Sequence, residues 1–422
     1  MKFRWINNVN ENLSIFEQIL DSRSFSKKDL KVTLEDIPDI SLLKDIRKAA
    51  ERILQAVQNK EKIIIFGHDD LDGITSTYIL FDFLEKLGSQ NHYYYIPNRL
   101  LENHGIQQNF IQKVEKENFD LVITVDGGIG CTKAVDQIKK IGCEVIITDH
   151  HLVSGAIPNA FAVVNPKQYD CEFPNKMLAG VAVSFFLIKK IAELLDIEIN
   201  KNYYFWVAVG SIADKVPLDG VNRILVKEVL DSWSEYDDPT LKILKDYIWL
   251  KGDYDSRIKM IKFIIRLFSN GREANGENLA MKVLLSESSE KNKFLQNLMK
   301  IMSEYEKKIE DVIEFISNIP VSEDQTSFIY FDENDKIPYD LLGYCASHIS
   351  TRNKKPAIFL KNKNDTLICE ARSLGSFNLV KSFQYCADHL IQFGGHIRAA
   401  GFTAKPEKLK SIIDGLTDYS DS

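Results

Sequence analysis

Five short apolar runs alternate with helical patterns over about a hundred and thirty residues, and nothing else in the chain restricts its fold as strongly. The runs are KIIIF (62–66), YYYI (93–96), LVITV (121–125), EVIIT (144–148) and AFAVV (160–164). Amphipathic stretches lie near 74–88, 106–117, 131–141 and 178–196. Runs this short and this continuously apolar suit strands covered on both faces. A helix between successive strands lets them run parallel, so the spacing predicts βαβ units around a mostly parallel sheet.

The flanking regions read differently. Residues 1–60 are polar and helical, and ISLLKDIRKAAERILQAVQNK (40–60) has apolar residues at helical spacing. From about 224 to 318 no strand pattern occurs. SRIKMIKFIIRLF and KNKFLQNLMKIMSEYEKKIEDVIEFI read as helices, with breaks at Gly252 and at Asn270-Gly271. Beyond Asn318–Pro320 the strand candidates TSFIYF, PAIFL and TLICEA alternate with helices near 339–351 and 379–392. A chain of 422 residues is too long for one core. The expected division is a helical extension (1–44), a parallel-sheet α/β catalytic domain (45–230), a helical connector (231–322) and a smaller α/β C-terminal domain (323–422).

Composition excludes several classes. Hydrophobic residues at 45% and charged residues at 27% rule out a disordered, collagen-like or disulfide-dense chain. No apolar run is long enough to span a membrane, and the first residues lack the apolar core of a signal peptide. The six cysteines are scattered with no C-x-x-C pair, which suits reduced thiols in a cytoplasmic protein. The net charge of -7 argues against a nucleic-acid partner until it is resolved by region. Residues 341–410 hold 11 Lys+Arg against 4 Asp+Glu, a balance of +7, leaving 42 against 56 elsewhere. A basic C-terminal module suits a polyanion, although a lysine-rich surface alone would look the same.

The chemistry gathers at strand ends, where open parallel sheets carry their sites. Three apolar runs lead directly into acidic or histidine-bearing turns: IIIF-GHDDLDG, LVIT-VDGG and VIIT-DHH. A fourth cluster, VGSIADKVPL, closes a buried helix at Asp214. One such aspartate would be read as a helix N-cap. Four clusters, three at equivalent ends of one sheet, need a common cause, and divalent cations supply the charge that crowded carboxylates require. Asp70, Asp72, Asp126 and Asp214 offer hard oxygens, and His68 and His150 offer imidazole nitrogens. That mixture without thiolate suits Mn²⁺, with Mg²⁺ or Co²⁺ as substitutes. Two cations sharing a carboxylate are the usual arrangement for in-line phosphoryl chemistry.

The ordered set His-x-Asp-x-Asp-Gly (68–73), Asp126, Asp-His-His (149–151) and Ala-Asp (213–214) resembles the DHH phosphoesterase superfamily and, within it, the RecJ-type single-strand exonucleases. The blocks YIPNRLLENHGI (95–106), AIPNAFAVVNPK (156–167), LAGVAVSFFL (178–187) and DGVNRILV (219–226) support the narrower resemblance. ARS (371–373) and GGHIRAAGF (394–402) resemble the DHH-associated substrate-binding domain.

The resemblance implies roles. His68, Asp70 and Asp126 would hold one Mn²⁺, and Asp72, Asp126, His150 and Asp214 the other, with Asp126 bridging. His151 would face the substrate phosphate as a proton or hydrogen-bond donor, with Asp149 orienting both histidines. Arg99 and Arg223 would contact backbone phosphates, against the plainer reading of surface ion pairs. Arg372, Ser373, Gly394, Gly395, His396 and Arg398 would contact substrate from the C-terminal domain.

Two departures stand out. Bacterial RecJ proteins usually carry Asp where His68 stands, and histidine there is similar to archaeal RecJ-like nucleases, nanoRNases and manganese pyrophosphatases. Residues 404–422 would hold one helix at most, leaving no room for the OB-fold that lengthens the strand footprint of bacterial RecJ. The implied function is a two-Mn²⁺ exonuclease on single-stranded nucleic acid, chiefly DNA, in repair or replication. A nanoRNase or cyclic-dinucleotide phosphodiesterase would use the same site on a shorter substrate. A scaffold binding a helicase or GINS-like partner is the non-enzymatic alternative.

Overall fold

The computed structural model describes residues 12–98, 102, 105–153, 155–247, 252–269, 271, 277–320, 326–363, 365–374 and 377–421. The chain divides into two compact units, residues 1–302 and 303–422. In the first unit the order is α1 (Ile15–Ser22), α2 (Ile46–Gln58), β1 (Ile63–Phe66), α3 (Leu71–Lys86), β2 (His92–Tyr95), α4 (Gln108–Glu117), β3 (Leu121–Val125), α5 (Thr132–Lys140), β4 (Glu144–Thr148) and β5 (Ala162–Val164). Then come α6 (Gly180–Leu195), α7 (Asn202–Asp214), α8 (Gly220–Asp231), α9 (Pro239–Lys245), α10 (Tyr254–Ser269), α11 (Leu279–Leu285) and α12 (Ser288–Ser317), within which the unit boundary falls.

The five strands form one fully parallel sheet in the order β2-β1-β3-β4-β5. Successive side chains of a strand point to opposite faces, and here both faces are apolar. Ile63, Ile65, Leu121, Ile123, Val125, Ile146 and Val164 pack on one side against α2, α3, α6 and α7. Ile64, Phe66, Val122, Val145, Ile147 and Val163 pack on the other against Phe110 and Val114 of α4 and Val135 and Ile138 of α5. This double burial is why the strands read as unbroken apolar runs. Met260, Ile261 and Ile264 of α10 and Leu279 and Met281 of α11 belong to the same core as the sheet's first face. The stretch read as a connector therefore contributes buried residues to the first unit.

The second unit contains β6 (Phe328–Phe331), α13 (Leu342–Asn353), β7 (Ala357–Lys363), β8 (Thr366–Arg372), α14 (Leu379–Tyr385), β9 (Leu390–His396), β10 (Ala399–Ala404) and α15 (Leu409–Asp421). Its sheet order is β6-β7-β8-β10-β9, parallel only between β6 and β7. Leu367, Cys369 and Ala371 of β8 pack with Phe383 of α14 and Ile412 and Leu416 of α15. The α/β expectation for both units is met. The helix expected at 379–392, however, ends at Tyr385, and Leu390 onward is strand. Gly394-Gly395 follows at once and disfavours helix continuation, so the segment pairs with β10 as a hairpin.

Candidate metal centre

Three strands of the parallel sheet deliver acidic turns at their carboxyl ends, and the turns are shaped by close backbone packing. After β1 the chain folds back over His68. Asp70 caps α3, its Oδ1 accepting from Gly73 N at 3.0 Å. Its Oδ2 lies 3.0 Å from His68 Nδ1. The capping and ligand readings of this aspartate are thus compatible, one oxygen for each. A Cβ on Gly73 would lie 2.4 Å from His68 Cβ and 2.5 Å from His68 O, so only glycine permits the fold-back.

Asp72, in the first turn of α3, is buried and accepts from Gly180 N at 2.7 Å and Val181 N at 2.8 Å, at the N-terminus of α6. After β3, Asp126 adopts a left-handed φ of 55°, a conformation aspartate tolerates better than most residues. A Cβ on Gly180 would stand 2.5 Å from Asp126 Oδ1 and 2.7 Å from its Cβ. That glycine lets Asp126 and the start of α6 meet. α7 ends at Asp214, which closes the cluster from the opposite side.

After β4 the turn is organised by Asp149. Its Oδ1 accepts from His150 N (2.6 Å), His151 N (2.9 Å) and His151 Nδ1 (2.8 Å), and its Oδ2 accepts from Ile129 N (2.9 Å). Burial alone would raise the carboxyl's pKa. The bond from His151 and the backbone amides overcome it and hold the pKa below the usual range. The same bond raises the pKa of His151 and occupies its Nδ1, leaving Nε2 as the second nitrogen of a half-exposed ring.

His150 is the converse case. Burial pushes its pKa down to about 4, so the ring is neutral at physiological pH. Its Nδ1 lies 2.9 Å from Leu178 O, which requires the proton on Nδ1 and a lone pair on Nε2. That lone pair faces Asp126 Oδ1 at 3.1 Å, a buried oxygen that accepts no hydrogen bond among the described residues. Two acceptors confronting one another in a buried site call for a proton or a metal cation between them. Burial first, then neighbouring carboxylates, raise the pKa of Asp72 and Asp126 well above the carboxylate range, and Asp214 is raised for the same reasons. Bound cations would reverse that repulsion.

Ligand atoms converge in three overlapping groups, His68/Asp70/Asp126, Asp72/His150/Asp214 and Asp126/His150/His151, each within 4.8 Å. Asp126 belongs to two of them, and the donor set fits two divalent cations. A cavity of about 290 Å³ opens beside the cluster, lined by His68, Asp126, Gly127, Gly128, Asp149 and His151.

The remaining candidates are placed less uniformly. Arg99 lies outside the described residues. Arg223, expected to contact phosphate, is engaged within the protein through one nitrogen and its flat face. Its Nε donates to Asp29 O at 2.7 Å and its guanidinium stacks 5.1 Å above Phe25, anchoring the N-terminal segment. Ser373 is buried, with its hydroxyl donating to Phe377 O at 3.0 Å. Arg372 is engaged internally by Glu370 Oε2 at 3.0 Å and Ala371 O at 2.8 Å. Gly394 and Gly395 lie in β9, and His396 and Arg398 are exposed at the β9–β10 hairpin tip. Part of the basic surplus is also consumed, since Lys361 pairs with Asp332 at 3.3 Å and Lys363 sits 4.1 Å above the Tyr339 ring. Sequence reasoning passed over Lys167, although it closes the block AIPNAFAVVNPK, and over the steric role of Gly180.

Comparison with known proteins agrees with this geometry. Residues 62–211 match the DHH family, N-terminal domain. Those residues of the chain are thus similar to a DHH domain. The chain's relatives over most of its length are RecJ proteins. It is 33% identical over 401 residues, 92% of its own length, to the single-stranded-DNA-specific exonuclease RecJ of Bacillus subtilis. It spans about half (49%) of that relative. A crystal structure of exonuclease RecJ bound to manganese superposes with a TM-score of 0.76 at 26% identity, covering 90% of this chain and 95% of that one. RecJ from Thermus thermophilus in complex with Mn²⁺ gives 0.79 at 25%, covering 95% and 58%. Among the described residues no helix is long and apolar enough to cross a membrane.

Proposed function

We propose that this protein is a metal-dependent exonuclease that hydrolyses phosphodiester bonds of single-stranded DNA. The observation that carries the reading is the buried pair of opposed acceptors, Asp126 Oδ1 and His150 Nε2, at the junction of the ligand groups. His68, Asp70 and Asp126 would hold one Mn²⁺, and Asp72, Asp126, His150 and Asp214 the second. When bound, the pair supplies charge stabilisation at phosphorus and lowers the pKa of the attacking water.

The chain's own residues do the rest. Leu178 O fixes the tautomer of His150. Asp149 fixes that of His151, whose Nε2 can hold a proton for an oxygen of the scissile phosphate. The 290 Å³ cavity beside His151 gives that phosphate an approach. The exposed hairpin tip with His396 and Arg398 is a further phosphate contact for the strand. Reduced thiols, five of the six being buried, support a cytoplasmic setting. The acidic surplus outside 341–410 supports docking of a basic replication or repair protein, such as a helicase or GINS-like partner.

Rates on 5-mer and 40-mer strands of DNA and RNA, end-labelled and in Mn²⁺, test the reading. Faster cleavage of the DNA 40-mer is expected, and a strong preference for the short oligomers would replace it with a dinucleotide phosphodiesterase. Activity should be higher in Mn²⁺ than in equimolar Ca²⁺, which wants more oxygens and longer bonds than a two-histidine site offers. EDTA should abolish it, and robust turnover in EDTA would dispose of the metal mechanism. Arg398→Ala should weaken single-strand binding similarly for all sequences, with metal content unchanged, and flatten the salt slope by roughly 0.7 on a log–log plot. Wild-type affinity of a stable variant at every salt concentration would remove Arg398 as a phosphate contact.

A further inference from the structure

The fourth strand end bordering the ligand cluster carries a cation. β5 pairs with β4 in parallel register, Val164 opposite Thr148, so its carboxyl end lies beside the Asp149-His150-His151 turn. The chain then makes a tight turn through Asn165, Pro166 and Lys167. That turn is tied to the histidine turn at both levels. Asp149 N donates to Val164 O at 3.0 Å, and Asn165 Nδ2 donates to His151 O at 3.0 Å. Asn165, fully buried, also accepts from Lys167 N at 2.8 Å through its Oδ1. One amide side chain thus holds the backbone of Lys167 to the backbone of His151.

The Lys167 side chain is partly buried, and its ammonium makes no hydrogen bond or ion pair among the described residues. Burial lowers its pKa, while Asp149 and Asp214 act in the opposite direction. The Asn165 bridge sets the Lys167 backbone beside that of His151, which puts the residue at the edge of the cluster. A partly desolvated ammonium without a bonded partner costs free energy unless an anion arrives. The carboxylates of the cluster do not remain free to serve. Asp70, Asp72, Asp126 and Asp214 carry four negative charges, which two divalent cations cancel. A phosphodiester entering such a centre brings one further negative charge, and Lys167 supplies the matching positive one.

We propose that Lys167 is a substrate-binding residue of this centre, its ammonium taking a non-bridging phosphate oxygen of the bound strand beside His151. The proposal deepens the phosphodiesterase reading and rests on it for the identity of the strand. Lysine suits the place because it acts as a compact point charge with rotatable donors.

The test uses the full chain loaded with Mn²⁺ and titrated calorimetrically with inorganic phosphate. Lys167→Ala and Lys167→Gln should each weaken phosphate binding about tenfold or more, and Lys167→Arg should recover most of it. Metal content should match wild type and Mn²⁺ affinity should be equal or higher, because removing a cation relieves repulsion of the metals. Wild-type phosphate affinity in either neutral variant would overturn the proposal. So would a pattern in which both lose manganese and melting temperature together, since Lys167 would then serve only to hold the turn. Cleavage of a 40-mer by the wild type is scored separately. Its absence would sink the single-strand reading, while the phosphate titration still decides the role of Lys167.

Discussion

Turnover is expected to fall by roughly a thousandfold or more in Asp126→Asn, with at least one of two manganese ions lost per chain and the fold unchanged. Asp126 contributes to two ligand groups, so removing its charge strikes both cation positions at once. Asparagine is the better substitution because position 126 has a φ of 55°. Asparagine tolerates that left-handed conformation, whereas alanine would add about 1 kcal/mol of backbone strain unrelated to the metals. Circular dichroism checks the fold, and elemental mass spectrometry checks the metal. Retention of a tenth of wild-type activity would remove Asp126 from the bridging position.

Asp149→Ala should injure stability and catalysis together, although Asp149 lies in none of the three ligand groups. The carboxylate accepts from three backbone amides and one imidazole, and it is almost wholly buried. Leaving buried donors unmet costs on the order of 1–3 kcal/mol each, so a loss of about 3 kcal/mol or more is expected in chemical denaturation. His151 would also lose the partner that fixes its tautomer. A comparable loss in serine hydrolases lowers kcat by about 10⁴. Asp149→Asn is the milder variant, since its amide oxygen can still accept at the Oδ1 position while its NH₂ would oppose Ile129 N–H. It should recover part of the stability and part of the rate, because the amide oxygen still accepts from His151 Nδ1. Wild-type kcat in Asp149→Ala would show that the orientation of His151 is unimportant.

The legibility of the sequence varied with the physics of each segment. β3 and β4 could be bounded to the residue, because both faces of each are buried and the apolar run ends where the polar turn begins. The carboxylates and histidines at those ends stood out because such residues have no packing reason to cluster. β9 did not stand out. One of its faces is exposed, it contains Gly394-Gly395, and LIQFGGH has neither a period of two nor a helical one. Its identity as a strand comes from pairing with β10, a tertiary fact. The internal contacts of Arg223 were hidden for a related reason. Its partners, Phe25 and the Asp29 carbonyl, lie almost two hundred residues away in sequence, and no local pattern announces them. Ser373 looked available beside Arg372 only until the hairpin turn buried its hydroxyl.

Gly73 and Gly180 make the site vulnerable in a way that the chemistry of its ligands conceals. Every amino acid reachable from a glycine codon by one base change carries a Cβ. At these two positions that atom would fall 2.4 Å from His68 Cβ or 2.5 Å from Asp126 Oδ1. A ligand such as Asp70 has at least one chemically related neighbour, asparagine or glutamate, within a single mutation. Neither glycine has any substitute. In a saturation library scored for the proposed nuclease activity, both should therefore rank with the candidate metal ligands as essential, although neither contributes a side-chain atom to the centre. A chain that drifted at either position would lose catalysis while every candidate metal ligand stayed in place.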